Sequence, residues 1–251
     1  MAKGLIAREA CAHTAQWVER RRQATSRFYA SRITEDMWRC FDALISRSGA
    51  RHVLEYGCGA GLSFDHLLGL GVEQLIGIDI APEMVHEARQ RIAELAASDR
   101  IRAYLMDAHS LEFADNSFDL IIGVSILHHL DLEAACLELR RVLSPNGTAV
   151  FIEPLGMNPV INRYRARTPQ YRTTDEYPLT CSDLDMLRRL FLVESRFFVL
   201  SVLLASFRGL YCLAKPLRLL DRVLLKIPRL QLLAWMVVLR LQAPAGDRAR
   251  Q

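Results

Sequence analysis

Residues 53–61 read Val-Leu-Glu-Tyr-Gly-Cys-Gly-Ala-Gly, an apolar segment that runs directly into three alternate glycines. The apolar part predicts a buried strand. The glycines predict a sharp turn in which the backbone can approach a ligand without interference from Cβ atoms. A helix predicted to follow would bring the N–H groups of its first turn to the same place. The spacing differs from the dinucleotide fingerprint GxGxxG, because Leu62 stands where the last glycine would be. Glu55 would moreover repel a pyrophosphate and attract an amino group or a cation, although a purely structural turn stays open.

Strands and helices are predicted to alternate around this turn. With 251 residues, of which 51% are apolar, the chain is long enough for one large α/β domain. Short apolar runs predict strands at 51–56, 74–80, 101–106, 118–125 and 148–154, and helical spacing predicts helices at 33–45, 62–70, 82–95 and 132–143. This alternation predicts βαβ units and a parallel, doubly wound α/β sheet. Such sheets bind ligands beyond the carboxyl ends of their strands, where Asp79 and Asp107 fall.

Four stretches of the core carry a family resemblance. They read VLEYGCGAG, GIDIAPEMV, MDAHSLEFADNSFDLIIGVSILHHL and LRRVLSPNGTAVFIEP, and together they cover residues 51–154. In order and spacing they resemble the class I S-adenosylmethionine (SAM)-dependent methyltransferases, and among these the UbiE-like, type 11 small-molecule enzymes. The resemblance implies a Rossmann-like, seven-stranded doubly wound sheet with an antiparallel last strand. It also implies SAM as the cofactor and a small-molecule acceptor.

The same resemblance assigns donor-binding roles to residues of these motifs. By what they would contact, they are Gly57, Gly59 and Gly61 (the methionine moiety), Glu55 (its ammonium group), Asp79 (the ribose), Ile80 (an adenine face), Asp107 and Ala108 (adenine nitrogens) and Ser125 (the methionine end). SAM carries a sulfonium and an ammonium group, so an acidic surrounding suits it. The formal charge is −9 over 51–153, against +4 over 1–50 and +9 over 154–251.

His128 and His129 follow the fourth predicted strand, near the expected position of the donor methyl group. An imidazole with a pKa of about 6.5 could deprotonate a phenol, an enol or an amine, so both are catalytic candidates. A structural turn, with one histidine capping and the other exposed, stays open. Glu153, at the end of the fifth strand, is a further pocket candidate. No metal site is predicted, because the six cysteines are scattered without a CxxC pair.

The segments outside the core suggest the partners. Residues 1–50 predict an N-terminal helical cap. Residues 155–251 hold a long loop rich in proline and arginine (155–183), the last two strands (192–203 and 234–242) and a helical insertion between them. A surface helix solvated by Arg163, Arg165 and Arg167 stays open as an alternative within that loop. Along 215–229, cations recur at steps of three or four opposite a leucine-rich surface. This pattern predicts a helix that lies on an anionic membrane, or one packed on its own domain or a second subunit with its arginine face in water. Both interpretations put apolar cover near the strand ends, so we expect a lipophilic acceptor.

Motifs that the sequence lacks narrow the function further. No (Asp/Asn)-Pro-Pro-(Tyr/Phe) segment follows the fourth strand and no Pro-Cys pair is present, so we do not expect a nucleic-acid substrate. The longest apolar runs fall short of a bilayer span, and we expect a cytoplasmic protein, or one peripheral on the inner membrane face. The leading hypothesis is a SAM-dependent methyltransferase. The alternatives are a non-catalytic SAM-binding or assembly protein, and a methyltransferase of RNA or protein.

Overall fold

The computed structural model describes residues 32–169, 176–206 and 210–243. Within these ranges the strands are β1 His52–Tyr56, β2 Gln74–Asp79, β3 Ile101–Leu105, β4 Phe118–Val124, β5 Leu143–Pro154, β6 Leu192–Phe198 and β7 Met236–Gln242. The α-helices are α1 Glu35–Ser48, α2 Phe64–Gly69, α3 Pro82–Glu94, α4 Leu132–Val142, α5 Pro159–Arg167, α6 Cys181–Leu190, α7 Ala214–Leu224 and α8 Pro228–Gln231. Short 3-10 helices cover Leu127–His129, Ser201–Ser206 and Tyr211–Leu213.

All seven strands form one sheet in the order β3-β2-β1-β4-β5-β7-β6. The first five pair in parallel, whereas β7 is antiparallel to both of its neighbours. The predicted Rossmann-like, seven-stranded doubly wound sheet with an antiparallel last strand is therefore confirmed. The strand order reverses between β1 and β4, which is the topological switch point where open α/β sheets form their ligand crevice.

Helices cover both faces of the sheet, so its central strands are buried on both sides. Along β5, Val150 and Ile152 pack with the helices α1, α2 and α3, while Ala149 and Phe151 pack with α4 and α6. The helices contribute one apolar stripe each to these two cores, as amphipathic helices on a sheet do. This packing fixes the carboxyl ends of β1, β2, β3, β4 and β5 along one edge.

The predicted long loop over 155–183 is wrong for most of its described length, because two helices form there. Asn158 caps α5, since its side chain accepts the backbone N–H groups of the first turn. Thr180 and Asp183 form a capping box at the start of α6, where the Asp183 carboxylate accepts the Thr180 N–H at 2.7 Å. Arg165 is buried and donates to the Leu155 carbonyl at 2.7 Å, so it fixes α5 to the end of β5.

The C-terminal elements are shorter than predicted. The sixth strand was expected over 192–203, but β6 ends at Phe198. The carboxylate of Asp221 then accepts the N–H groups of Leu200 and Ser201 and starts a 3-10 helix. The helix expected over 215–229 is divided into α7 and α8, because Pro228 has no N–H to donate and begins a new turn.

Other differences lie at the ends of elements. The strand β5 begins at Leu143 instead of 148, and its register against β4 shifts between Phe118 and Leu120. The strand β7 begins two residues later than predicted. Residues 1–31 lie outside the described residues, so of the N-terminal helical cap only α1 is described. None of the helices in the described ranges is both long and apolar enough to cross a membrane.

Candidate active site

The glycine turn after β1 is held against the ends of β2 and β4. The Cys58 N–H donates to the Ile78 carbonyl and the Gly59 N–H donates to the Asp79 carboxylate, both at 2.9 Å. Gly57 has φ +65°, and a Cβ atom there would lie 2.7 Å from the Ile126 side chain. Gly59 also has a positive φ, of +52°, but a Cβ atom there would meet no atom within 4 Å. The turn is therefore packed on one side and open at Gly59.

Cys58 fills a gap within the turn and is not activated. It lies against β2, where a Cβ atom on Gly77 would come within 2.8 Å of its Sγ atom. Burial raises the pKa of the Cys58 thiol far above its usual value, and the neighbouring carboxylates of Glu55 and Asp79 raise it further. A thiolate at this position is thus disfavoured.

Glu55 lies under the glycine turn and is almost fully buried. Both of its carboxylate oxygens are 2.7 Å from the Ser63 hydroxyl, which donates to them from the start of α2. Burial raises the pKa of Glu55 to about 7, the Ser63 hydrogen bond opposes this shift, and the Asp79 charge adds to it. Ser63 was not predicted as a site residue, although its place two residues after the last glycine puts it at the first turn of the following helix.

Asp79 connects the glycine turn to the start of α3. Its Oδ2 atom accepts the Gly59 N–H and its Oδ1 atom accepts the Ala81 N–H, both at 2.9 Å. These two bonds, one to each carboxylate oxygen, hold the group in place. Ile80 follows it at the edge of the sheet and is half-buried.

Asp107 lies beyond β3 and is bound to His109, a partner that the sequence analysis did not assign. Its Oδ1 atom accepts the His109 backbone N–H at 2.9 Å and lies 2.6 Å from the His109 Nδ1 atom. The Nε2 atom of His109 accepts the Asp131 N–H at 2.9 Å, so the proton of the neutral ring is on Nδ1. This chain of bonds ties the loop after β3 to the start of α4. Ala108, between the two, is buried.

Ser125 follows β4 directly and has a positive φ of +57°. Its N–H donates to the Ile152 carbonyl on β5 at 2.8 Å, which holds this conformation. Residues other than glycine rarely adopt it, and such residues cluster at ligand sites. Ser125 is half-buried and lies at the switch point next to the glycine turn.

His128 is buried and held by the equally buried Glu153. The His128 Nδ1 atom is 2.7 Å from Oε2 of Glu153, and the other carboxylate oxygen accepts the N–H groups of Ile126 and Leu127 at 2.9 and 2.8 Å. Burial raises the pKa of Glu153 to about 7, against the effect of these backbone N–H groups. While Nδ1 faces this carboxylate, the other ring nitrogen, Nε2, faces the side chain of Glu176.

His129 and Glu176 complete this cluster. The two imidazole rings have their centroids 4.2 Å apart, and Oε1 of Glu176 lies 4.0 Å from Nε2 of His128. The Tyr177 N–H donates to the His128 carbonyl at 3.0 Å, which fixes the segment after residue 175 against the histidine pair. The predicted exposed histidine is not observed, because both rings are buried. Glu176 is 47 positions from His129, and no sequence pattern joined them.

The structure brings the residues expected to bind the donor and those expected to act on the acceptor to the same edge of the sheet. Ile126 packs against the glycine turn at Gly57 and precedes His128 by two residues. The carboxylates expected to hold the donor and the histidines expected to act on the acceptor therefore lie on either side of the β1–β4 switch point.

The helix α7 packs on the protein with part of its charged face, including Arg218 and Asp221. Arg218 pairs with Glu35, Arg222 pairs with Asp36 at 3.0 Å, and Asp221 is buried between them. The face that holds these charges thus lies against α1 and the 3-10 helix at Ser201–Ser206. The alternative in which α7 packs on its own domain therefore agrees with these contacts, except that Arg218 is largely covered by its pairing with Glu35, while the side chain of Arg222 stays 59% exposed.

Comparisons with known proteins agree with this geometry. Residues 54–151 match the family described as "Methyltransferase domain". An O-methyltransferase from Penicillium expansum is 28% identical over 158 residues, which are 61% of this chain and 56% of that protein. The chain spans about half the length of the curated relatives it matches.

Solved structures share the fold at low identity. A Galdieria sulphuraria protein assigned to the sarcosine dimethylglycine methyltransferases has a TM-score of 0.58 at 18% identity, and the match covers 83% of this chain and 85% of that one. The [4+2]-cyclase SpnF has a TM-score of 0.57 at 20% identity, with 82% of each chain covered. These structures support the fold alone, since this fold carries more than one activity. Together, the four motifs, the sheet and the family match show that residues 54–151 are a methyltransferase domain, in agreement with the resemblance of its motifs to the class I, type 11 enzymes.

Proposed function

We propose that this protein transfers a methyl group from SAM to a small, lipophilic acceptor. The observation that carries the proposal is the group of half-buried or buried carboxylates, Glu55, Asp79 and Asp107, around a glycine turn that is open at Gly59. A cationic donor fits this surrounding, whereas a diphosphate would be repelled by it.

The donor residues are proposed by their place in this arrangement. The methionine moiety would pass Gly59, with its ammonium group toward Glu55. Asp79, already fixed by two backbone N–H groups, would accept the ribose hydroxyls. Ile80 would cover an adenine face, Ala108 and Asp107 would meet the adenine nitrogens, and Ser125 would lie against the methionine end.

The acceptor would lie on the histidine side of the switch point. There the His128–His129 pair would assist the loss of the acceptor's proton, and Glu153 would position His128 through its Nδ1 atom. Methyl transfer itself is an in-line displacement at the sulfonium, for which alignment of the two reactants is the main contribution of the protein. The relative from Penicillium expansum is an O-methyltransferase, which makes hydroxyl acceptors the first class to test.

The outward face of α7 supports a lipophilic acceptor and contact with a membrane. Leu219, Leu220 and Val223 are exposed, Val223 by 61%, while Arg218 and Asp221 of the same helix are turned toward the protein. The cations Lys215 and Lys226 stand exposed at the two ends of this apolar face. Apolar residues flanked by cations are typical of helices that lie in an anionic bilayer surface. We therefore propose that the protein acts at the cytoplasmic face of a membrane.

The enzymatic proposal is tested with methyl-labelled SAM and a panel of phenols, quinols and lipid extracts, followed by mass spectrometry for label and for S-adenosylhomocysteine. Binding of S-adenosylhomocysteine is measured separately by calorimetry. We expect binding and a labelled product. Binding without any product would favour the non-catalytic alternative, and absence of binding would refute the donor assignment.

The membrane proposal is tested by sedimentation with vesicles of phosphatidylcholine and phosphatidylglycerol. Wild-type protein is expected to sediment with anionic vesicles, and the double variant Leu220→Asp, Val223→Asp is expected to stay in solution. Val160→Asp is the matched control, because Val160 is an equally exposed apolar residue on α5. Equal sedimentation of the three proteins would refute the proposed role of α7.

A further inference from the structure

We propose that His128, His129 and Glu176 form a binding site for one divalent transition-metal ion. The inference deepens the proposed function, because the site lies on the acceptor side, but metal binding is measurable without any methyl transfer. One potential ligand atom from each of the three residues lies within 4.8 Å of the other two. They come from two distant segments that are joined by the hydrogen bond from the Tyr177 N–H to the His128 carbonyl.

The distances are close to those of a bound site. Metal–ligand bonds of about 2.0–2.2 Å bring neighbouring ligand atoms to about 3 Å from each other. The Nε2 atom of His128 and the Oε1 atom of Glu176 are 4.0 Å apart, so a change of about 1 Å at the end of the Glu176 side chain would suffice. Glutamate reaches such distances by rotation of its side chain, while the two rings, packed 4.2 Å apart, stay where they are.

Glu153 supplies the outer contact that histidine ligands of metals have. Such a histidine usually donates its second ring N–H to a carboxylate or carbonyl, which fixes the tautomer and raises the basicity of the ligating nitrogen. Glu153 accepts this bond from Nδ1 of His128 at 2.7 Å and is itself held by two backbone N–H groups. The ring is thereby oriented with Nε2 toward Glu176.

Charge and donor type indicate which ion would bind. The side chains of Glu153 and Glu176 are 0% and 9% exposed, and buried charges are costly unless they are paired. Two carboxylates beside one histidine pair give this place a negative character that suits a divalent cation. Two imidazoles and one carboxylate are the donors of zinc and non-haem iron sites with open positions, whereas magnesium and calcium prefer oxygen ligands.

An ion at this place would explain how the histidine pair helps a weakly acidic hydroxyl acceptor. The open position would take the acceptor's oxygen and lower its pKa, and the proton would leave to the solvent. The oxygen's electron pair would then form the bond to the methyl carbon of SAM, while the electrons of the carbon–sulfur bond return to sulfur and give S-adenosylhomocysteine. The acceptor class is accordingly a phenol, an enol or another hydroxyl compound.

The test uses tag-free, full-length protein that has been stripped of metal and is titrated with Zn²⁺ by calorimetry. We expect one equivalent to bind, and at least tenfold weaker binding by Glu176→Gln and by His129→Gln. His66→Gln is the matched control. His66 also pairs with a carboxylate, that of Asp42 at 2.9 Å, but it lies at an exposed position of α2. It should bind Zn²⁺ like the wild type.

Separate measurements keep the result clear. Binding of S-adenosylhomocysteine reports whether each variant is folded, and it does not depend on the metal. A folded Glu176→Gln or His129→Gln protein that keeps wild-type Zn²⁺ affinity would overturn the proposal, as would a wild type that binds none. Zinc X-ray absorption of the loaded wild type decides the ligands without any variant. Two imidazoles with oxygen support the site, and sulfur or a single imidazole refutes it.

Discussion

Substitution of Gly59 by alanine separates donor binding from stability. Gly59 has φ +52°, and the added Cβ atom would meet no protein atom within 4 Å. The left-handed conformation costs an alanine about 1–2 kcal/mol, which corresponds to a decrease in Tm of about 2–8 °C in a chain of this size. The Gly59 N–H to Asp79 hydrogen bond remains possible in the variant. The protein should therefore stay folded.

The same methyl group would occupy the space that we assign to the methionine moiety of the donor. Overpacking by one methyl group costs typically about 1–3 kcal/mol, so the Kd for S-adenosylhomocysteine should rise by between about fivefold and about a hundredfold. Calorimetry measures this Kd, and thermal unfolding measures the stability of the same sample.

Gly49→Ala provides the control for this experiment. Gly49 ends α1 with φ +59°, and a Cβ atom there also meets nothing within 4 Å. The two variants should thus lose the same stability, while only Gly59→Ala should lose affinity for the ligand. If Gly59→Ala bound S-adenosylhomocysteine as tightly as the wild type, the open side of the turn would not be the donor site. An equal loss of affinity in both variants would attribute the effect to stability alone.

Four other predictions follow from the described contacts. Asp79→Ala should weaken S-adenosylhomocysteine binding by at least about tenfold in calorimetry, because each charge-assisted hydrogen bond contributes about 1.5–3 kcal/mol; an unchanged Kd would remove the ribose assignment. Since the pKa of Glu55 is raised to about 7, its ionised form is lost as the pH falls through 7, and the Kd should rise by up to about tenfold per pH unit below that value. In Glu55→Gln this slope should disappear, and a slope that persists would assign the titration to another group. His128→Ala should lower kcat by about a hundredfold or more while the Kd for S-adenosylhomocysteine stays within twofold, and full activity would return the residue to a structural role. Asp221→Ala should reduce the free energy of unfolding in urea by about 3 kcal/mol, because it leaves N–H groups at the start of the 3-10 helix Ser201–Ser206 without their acceptor. A loss below about 1 kcal/mol would contradict that role.

The sequence predicted the sheet well because the decisive signals are local. Each of the first four strands is a short apolar run that ends at a glycine, a carboxylate or Ser125, and the structure places these ends at one edge. The donor side of the site could be predicted for the same reason, since its residues directly follow strand ends. Ser63 and His109 lie in the turns that follow the same strands, each two positions beyond a predicted residue.

The acceptor side could not be predicted in this way, because its contacts join distant segments. Glu153 meets His128 through the pairing of β4 with β5, and Glu176 reaches it only after α5 has turned the chain back. The helix α5 is stabilised by the Asn158 cap and by the buried Arg165, and from the sequence a loop and a surface helix were both open for this segment with its four prolines. Proline at the first position of a capped helix is favourable, and counting prolines as loop signals therefore gave the wrong result.

The basic C-terminal part of the chain and the acidic start of α1 meet in the structure, and their contacts determine which side chains of α7 are exposed. The basic C-terminal part and the acidic residues Glu35 and Asp36 of α1 are far apart in sequence, yet they pair through Arg218 and Arg222. A stripe of cations on an amphipathic helix is expected to face water, with the leucines buried. Here the buried Asp221 accepts backbone N–H groups within the protein and Arg218 pairs with Glu35, so Leu219, Leu220 and Val223 are exposed beside the exposed cations Lys215 and Arg222. An exposed group of apolar side chains is a feature of sites that contact other apolar surfaces, and we propose that the lipophilic acceptor is found at such a surface.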